Sequence, residues 1–435
     1  MKNQFFGLLL LLSSTSFSQF KISGEIKNYS EKPIMVRIFT GATDKLINRV
    51  ETDKYGKFSV NIPQHYSGIV SLTNLQRSSS VDILSDNENV EFTAEYAPDS
   101  SFRNVLFKVG ENAIGYQKYQ SYRNLNDLKQ NFFPILKSNY NTTDEFYQAI
   151  VREEKRISGL NPATELPLLK YYAQLSELST VHVDAKPAGE IYMNKILNHL
   201  TRDNNFLEGT GFLTTLVLNY FRYSIIGATS QEYINSTVEQ GIEKLLEATD
   251  IETPRGQNVL SATFAVLPKE QFGNVLEKYY SMANSLTCEI TEELKSNLAA
   301  HNMLEGNQVP DIKFKEEVKG FKSLYEIKAD KKIIVFWASW CPACNDEMPF
   351  IREFYPNFKK NGGEIIAISL DYDINEFKNA TKDFDWINYT ELTQWDSQGV
   401  QEFGVASTPT LFLVDKDNKL IKKAGHISEL MEFID

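Results

Sequence analysis

Two of the chain's three cysteines, Cys341 and Cys344, stand three positions apart in the run Trp337-Ala338-Ser339-Trp340-Cys341-Pro342-Ala343-Cys344. At that spacing on the first turn of a helix, two cysteines can close a small disulfide with little backbone movement. A helix N-terminus carries partial positive charge, which lowers the pKa of a thiol placed there and favours the nucleophilic thiolate. Pro342 costs little at the start of such a helix, because its missing N–H would have no partner there. Cys341 is therefore assigned the role of exposed attacking thiolate. Cys344, a turn further in, becomes the resolving thiol that breaks the mixed disulfide, as reversible exchange requires. A zinc site needs a second pair of Cys or His ligands. None of the five histidines, His65, His182, His199, His301 and His426, forms one at ligand spacing, so no metal and no cofactor is expected. A structural disulfide across so short a loop would stabilise little.

This chemistry needs a strand-to-helix junction. Ile333–Trp337 is a short continuous apolar run, as expected of a buried strand, and the motif follows it directly. Glu364–Leu370 and Thr410–Val414 read as further strands, and Lys419–Ile421 as the return arm of a hairpin across Asp415–Asn418. Helical stretches are expected at the motif and over Pro349–Lys360, Ile374–Phe384 and Ile427–Ile434. Ser407-Thr408-Pro409-Thr410 leads into the third strand. Proline at the entry of a central strand is unusual. A cis Thr408–Pro409 bond would set that loop beside the cysteines and leave the Thr408 main chain free to pair with an extended substrate segment. Trp340 is expected to serve both packing and the active surface, Trp337 the core, and His426 structure alone.

The remaining residues set the context. The 435 residues, 42% hydrophobic and 23% charged, suit a folded protein of about three domains. Three cysteines cannot staple a chain this long, so hydrophobic cores must carry the fold. A formal net charge of −12 argues against nucleic acid as a partner, since phosphate binding needs a basic footprint. Residues 19–109 alternate with period two between turn residues, which predicts an antiparallel β domain of the sandwich type. Residues 110–304 shift to helical spacing, with helix starts at Thr142–Glu145 and Ser230–Glu232, which predicts an all-α middle domain. Residues 305–435 carry the alternating α/β pattern. Cys288 lies alone in the helical segment and is expected to be a buried hydrophobe.

At the N-terminus, Lys2, the apolar run Phe5–Leu12 and the small polar stretch Ser13–Ser18 have the order of a secretory signal, with cleavage after Ser18. The run is shorter than the ~20 residues that span a bilayer. No second long apolar segment follows, so no membrane span is expected in the mature chain, which is placed in the periplasm.

The C-terminal segment resembles the thioredoxin fold, and more narrowly the TlpA/ResA-like periplasmic thiol-disulfide oxidoreductases. The resemblance covers about residues 306–435. It rests on Val335–Cys344, on Glu347-Met348-Pro349, on Ala406–Thr410 and on the opening Val309-Pro310-Asp311-Ile312. Ile22–Ile26 and Gly56-Lys57-Phe58 are similar to the N-terminal β domain found before such domains in Bacteroidetes-type bacteria. The resemblance implies a C-terminal thioredoxin-like fold and a protein-disulfide oxidoreductase activity. It also implies a role for Glu347 in tuning thiol protonation. Val335 stands where thioredoxin has a buried Asp, so the proton of Cys344 needs another acceptor. Pro342-Ala343 replaces the Gly-Pro of thioredoxin, which leaves the potential unset.

An exported dithiol-disulfide oxidoreductase is thus expected, reducing substrate proteins rather than oxidising them. Its implied partners are proteins with thiols or disulfides and a membrane electron donor that keeps the pair reduced in an oxidising compartment. Two other readings stay open: a thiol peroxidase, and a binding or scaffold protein with an accessory redox domain.

Overall fold

The computed structural model describes residues 20–160, 164–202, 204 and 206–434. The signal-like stretch 1–18 lies outside them. Eight strands open the described chain: β1 (Phe20–Lys27), β2 (Pro33–Phe39), β3 (Asp44–Glu51), β4 (Lys57–Ile62), β5 (Ser67–Thr73), β6 (Ser80–Asp86), β7 (Val90–Tyr96) and β8 (Phe102–Val109). They form two four-stranded sheets, ordered β4-β1-β7-β8 and β3-β2-β5-β6. Ile22, Phe58, Val60 and Phe92 from the first sheet meet Ile34, Val36, Val70 and Ile83 from the second in one core. β4 alternates buried and exposed positions, as a strand with one wet face does. Its Phe58, Val60 and Ile62 point inward.

β5 is instead buried along nearly its whole length. Its outer face is covered, because Ile69 and its cross-strand neighbour Leu84 pack on Tyr116, Leu168, Leu169 and Tyr172 of the helical region. Ladders in this region are antiparallel except between β1 and β7, which run parallel. The chain leaves the first sheet after β1 for β2 and β3, returns as β4 on one side of β1, leaves again for β5 and β6, and comes back as β7 on the other side.

Among the described residues from Glu111 to Asn302, the regular elements are all helices. Ser230 caps the helix Gln231–Thr249, its side chain accepting the N–H of Tyr233. One buried cluster holds these helices together, centred on Leu213, Leu216, Tyr220, Ile242, Val259 and Leu276. Gly209 lets the helical region touch β5 closely: a Cβ there would lie 2.2 Å from the Ser67 carbonyl oxygen. Cys288, expected in the core, is only half buried and lies 3.5 Å from Nε2 of Gln257. It sits between the helices Lys269–Asn284 and Glu292–Asn302, where the connection runs along the surface.

Seven further strands follow: β9 (Lys313–Val318), β10 (Phe321–Ser323), β11 (Lys331–Trp337), β12 (Gly363–Ser369), β13 (Ile387–Thr390), β14 (Thr410–Asp415) and β15 (Leu420–Ala424). Five of them form a sheet ordered β13-β12-β11-β14-β15. β13, β12 and β11 are parallel, while β14 and β15 are antiparallel additions. Helices cover this sheet, so β11 and β12 are buried throughout or nearly so. That explains their unbroken apolar sequence. Register places Trp337 beside Ser369, Ser369 beside Thr390, and Phe336 beside Thr410. The ends of three parallel strands and the start of β14 thus share one edge.

Two expected helices differ in extent. The stretch Ile374–Phe384 is helical only to Thr381, and Ile427–Ile434 forms a 3-10 turn over Ile427–Phe433. The longest helix of this region, Pro342–Lys360, starts at the cysteine motif and continues through Pro349 and Pro356. Both prolines lie on its exposed side, where carbonyls that lose a donor can reach water. Its buried stripe is Cys344, Met348, Ile351, Tyr355 and Phe358, at the i, i+3, i+4 spacing of an amphipathic helix.

Candidate active site

Three loops meet at the shared sheet edge. The first follows β11 and carries Ser339, Trp340 and Cys341. Cys341 is the N-cap of the helix, with extended backbone at φ −89° and ψ 117°, and Pro342 takes the first helical position. Pro342 and Ala343 are exposed. Cys341 itself is less open than expected, with 9% of its surface accessible, because the loop before β14 lies over it. Cys344, one turn on, is fully buried. Both are free thiols.

The second loop supplies the cover. The Thr408–Pro409 bond is cis. The carbonyl oxygen of Thr408 lies 3.4 Å from the Sγ of Cys341. Thr408 and Pro409 are half buried, while Ala406 and Ser407 are exposed beside them. Trp340 is half buried and packs on the domain core, and Trp337 is fully buried.

The environments of the two thiols push them apart. Burial raises the Cys341 thiol. Its thiolate, however, is offered hydrogen bonds by the Thr408 side chain, by the backbone and thiol of Cys344, and by the Ala343 backbone, and the net direction is down. For Cys344, burial dominates and pushes the thiol up to about 12, with the neighbouring Cys341 adding in the same direction. A thiol eased toward its thiolate beside one held protonated is the division of labour that dithiol exchange needs.

The third loop follows β12. Asp371 is completely buried there. Its carboxylate accepts the Ser339 N–H at 3.2 Å, the Ser339 hydroxyl at 2.6 Å and the Ser369 hydroxyl at 2.6 Å. It thereby fixes the turn two residues before Cys341. Asp371 was not singled out in the sequence. The available signal was its position, a carboxylate two residues past a buried parallel strand, where α/β sheets place their sites.

Glu347 is buried one turn beyond Cys344. Only 7% of its side chain is accessible. One carboxylate oxygen accepts the Ile427 N–H at 2.7 Å, and the other lies 2.9 Å from Nδ1 of His426. His426, set aside in the sequence for want of a near neighbour, thus has a partner 79 residues away. The hydrogen bond to Glu347 raises its pKa above the usual histidine value.

Comparison with known proteins places this region. Residues 304–429 match the Redoxin family model. Over 100 residues the chain is 35% identical to the thiol-disulfide oxidoreductase ResA of Bacillus thuringiensis subsp. konkukian, covering 23% of this chain and 57% of that protein. The matched stretch is thus little more than half the length of that relative. With ResA of Bacillus subtilis the identity is 28% over 129 residues, covering 29% of this chain and 71% of the other. Among solved structures, the C-terminal domain of a putative thiol-disulfide oxidoreductase from Bacteroides thetaiotaomicron aligns at 22% identity and a TM-score of 0.27. That alignment covers 31% of this chain and 97% of the other. Residues 304–429 thus match the Redoxin family model and are similar to the ResA thiol-disulfide oxidoreductases.

Proposed function

We propose that the chain is an exported protein-disulfide oxidoreductase that reduces substrate disulfides through Cys341 and Cys344. The observation that carries this reading is the opposite displacement of the two thiols, Cys341 lowered and Cys344 raised to about 12, within one helical turn. The thiolate of Cys341 attacks one sulfur of a substrate disulfide and expels the other as a thiolate. Cys344 then loses its proton and attacks Sγ of Cys341, releasing the second substrate sulfur. Two electrons pass to the substrate, and the pair is left as a disulfide. A dithiol donor at the membrane returns it to the reduced state.

Thr408 and Pro409 would seat an extended stretch of substrate against Cys341, and the exposed Ala406 and Ser407 beside them leave room for it. Pro342 and Trp340 complete the contact surface. Glu347 would influence the pair from one turn beyond Cys344. We divide the chain into a signal (1–18), a β domain (19–109), a helical domain (110–304) and the redox domain (305–435). Among the described residues no helix is long and apolar enough to cross a membrane.

A redox titration of the Cys341–Cys344 pair, paired with a protein-disulfide reduction assay, tests the reading. A potential near that of reducing thioredoxin, about −270 mV, and loss of turnover in Cys341→Ser are expected. A potential near about −120 mV would reverse the direction. Turnover retained by Cys341→Ser would reject the mechanism. Cell fractionation with N-terminal sequencing of the mature chain tests export, with Gln19 expected as the first residue.

A further inference from the structure

A side chain of the β domain reaches the redox edge of the C-terminal sheet. Arg49, on the edge strand β3, lays its guanidinium carbon 4.3 Å from the ring centroid of Tyr372. Its Nη2 lies 3.9 Å from Oδ2 of Asp373 and 2.8 Å from Oε1 of Glu51. The contact is enclosed: 28% of the Arg49 side chain and 8% of Tyr372 remain accessible. A second contact from the same strand runs parallel to it, the Leu46 N–H donating to Oδ2 of Asp396 at 3.1 Å.

Tyr372 and Asp373 follow directly on Asp371, whose carboxylate holds both the N–H and the hydroxyl of Ser339. A continuous path therefore runs from the guanidinium through the stacked ring and one short loop to Asp371. From there it passes to Ser339 and on to Cys341. The loop is crowded with negative charge. Burial, Asp373 and Asp371 all push Glu376 up, and Arg49 pulls it back. A planar cation that stacks on the ring and faces these carboxylates suits Arg and not Lys.

We propose that Arg49 is a positioning residue for the redox pair, through which the β domain holds the Leu370–Asp373 loop and with it the Asp371–Ser339 anchor ahead of Cys341. This rests on the dithiol chemistry proposed above, and it gives the β domain a part in that chemistry.

The test compares Arg49→Ala, Arg49→Lys and a control, Arg77→Ala, in the full chain. Arg77 lies on the same domain but pairs with Asp44. Two readings are taken: hydrogen exchange of the Ser339 amide, and the pH dependence of Cys341 alkylation followed by mass spectrometry. Arg49→Ala should speed Ser339 exchange by about tenfold. It should also move the alkylation midpoint upward, so that labelling at pH 7 slows by about threefold. Arg49→Lys should fall between it and the wild type, and Arg77→Ala should change neither reading. If Arg49→Ala does not fold, Arg49→Lys carries the test. Either reading unchanged overturns the proposal, including faster exchange with an unaltered alkylation profile, which would make Arg49 a structural contact only. A wild-type chain that alkylates as expected yet reduces no disulfide would reject the oxidoreductase function instead.

Discussion

Nδ1 of His426 lies 2.9 Å from Oε2 of Glu347, which ties the last turn of the chain to the helix that carries both cysteines. The hydrogen bond and the charge of Glu347 favour the imidazolium, so His426 should titrate above 6.5. A histidine whose folded pKa is raised adds stability that is complete below its unfolded pKa and is lost as pH rises through the folded one. The pair should therefore loosen from the neutral range upward. Following the His426 ring signals against pH by NMR checks this, and Glu347→Gln should return the midpoint to about 6.5. A midpoint at or below 6.5 in the unsubstituted chain would contradict the pairing.

The two thiols should be separable by reactivity. Cys341 is expected to react with an alkylating agent with a midpoint below the ordinary 9.0, and Cys344 to resist labelling until near 12 in the folded chain. Mass spectrometry of peptides labelled across a pH series measures both. Equal labelling of the two cysteines at neutral pH would remove the asymmetry on which the proposed roles depend.

Glu293 predicts a pH-dependent seam between the helical and β domains. Its carboxylate accepts the Ala42 N–H at 3.2 Å, and burial pushes its pKa up from 4.5 to about 7. Burial penalises the carboxylate once it ionises, and the Ala42 hydrogen bond offsets only part of that, so the folded chain loses stability as pH rises from 4.5 to about 7. The linkage amounts to roughly 2–3 kcal/mol across that interval. Glu293→Gln should be more stable than the parent chain at pH 7.5 and should flatten the dependence of stability on pH. Denaturant unfolding at several pH values measures it, and parallel pH curves for the two chains would count against the assignment.

What the sequence disclosed follows what each element buries. β11 and β12 are covered on both faces, and their unbroken apolar runs marked them as strands. β4 is covered on one face, and its alternation did the same. β3 shows neither pattern, because Asp-Lys-Leu-Ile-Asn-Arg-Val-Glu is half buried along nearly its whole length. It is nevertheless the strand that carries Arg49. The spacing of Cys341 and Cys344 marked the motif because its chemistry is local. Asp371, His426 and Arg49 act across 32, 79 and more than 300 residues of sequence, respectively, and spacing in one chain does not report such pairings. The half exposure of Cys288 and the enclosure of Cys341 were likewise set by packing partners distant in sequence.

The central claim is that Cys341 attacks and Cys344 resolves. Substituting Cys344→Ser removes the resolving thiol and leaves the mixed disulfide on Cys341 intact. The variant, expressed in its native compartment and isolated without reductant, should carry substrate proteins joined to Cys341 and released by dithiothreitol, whereas the double variant Cys341→Ser, Cys344→Ser should carry none. Recovery of the Cys344→Ser chain free of any disulfide-linked protein, with Cys341 as a free thiol, would contradict the account.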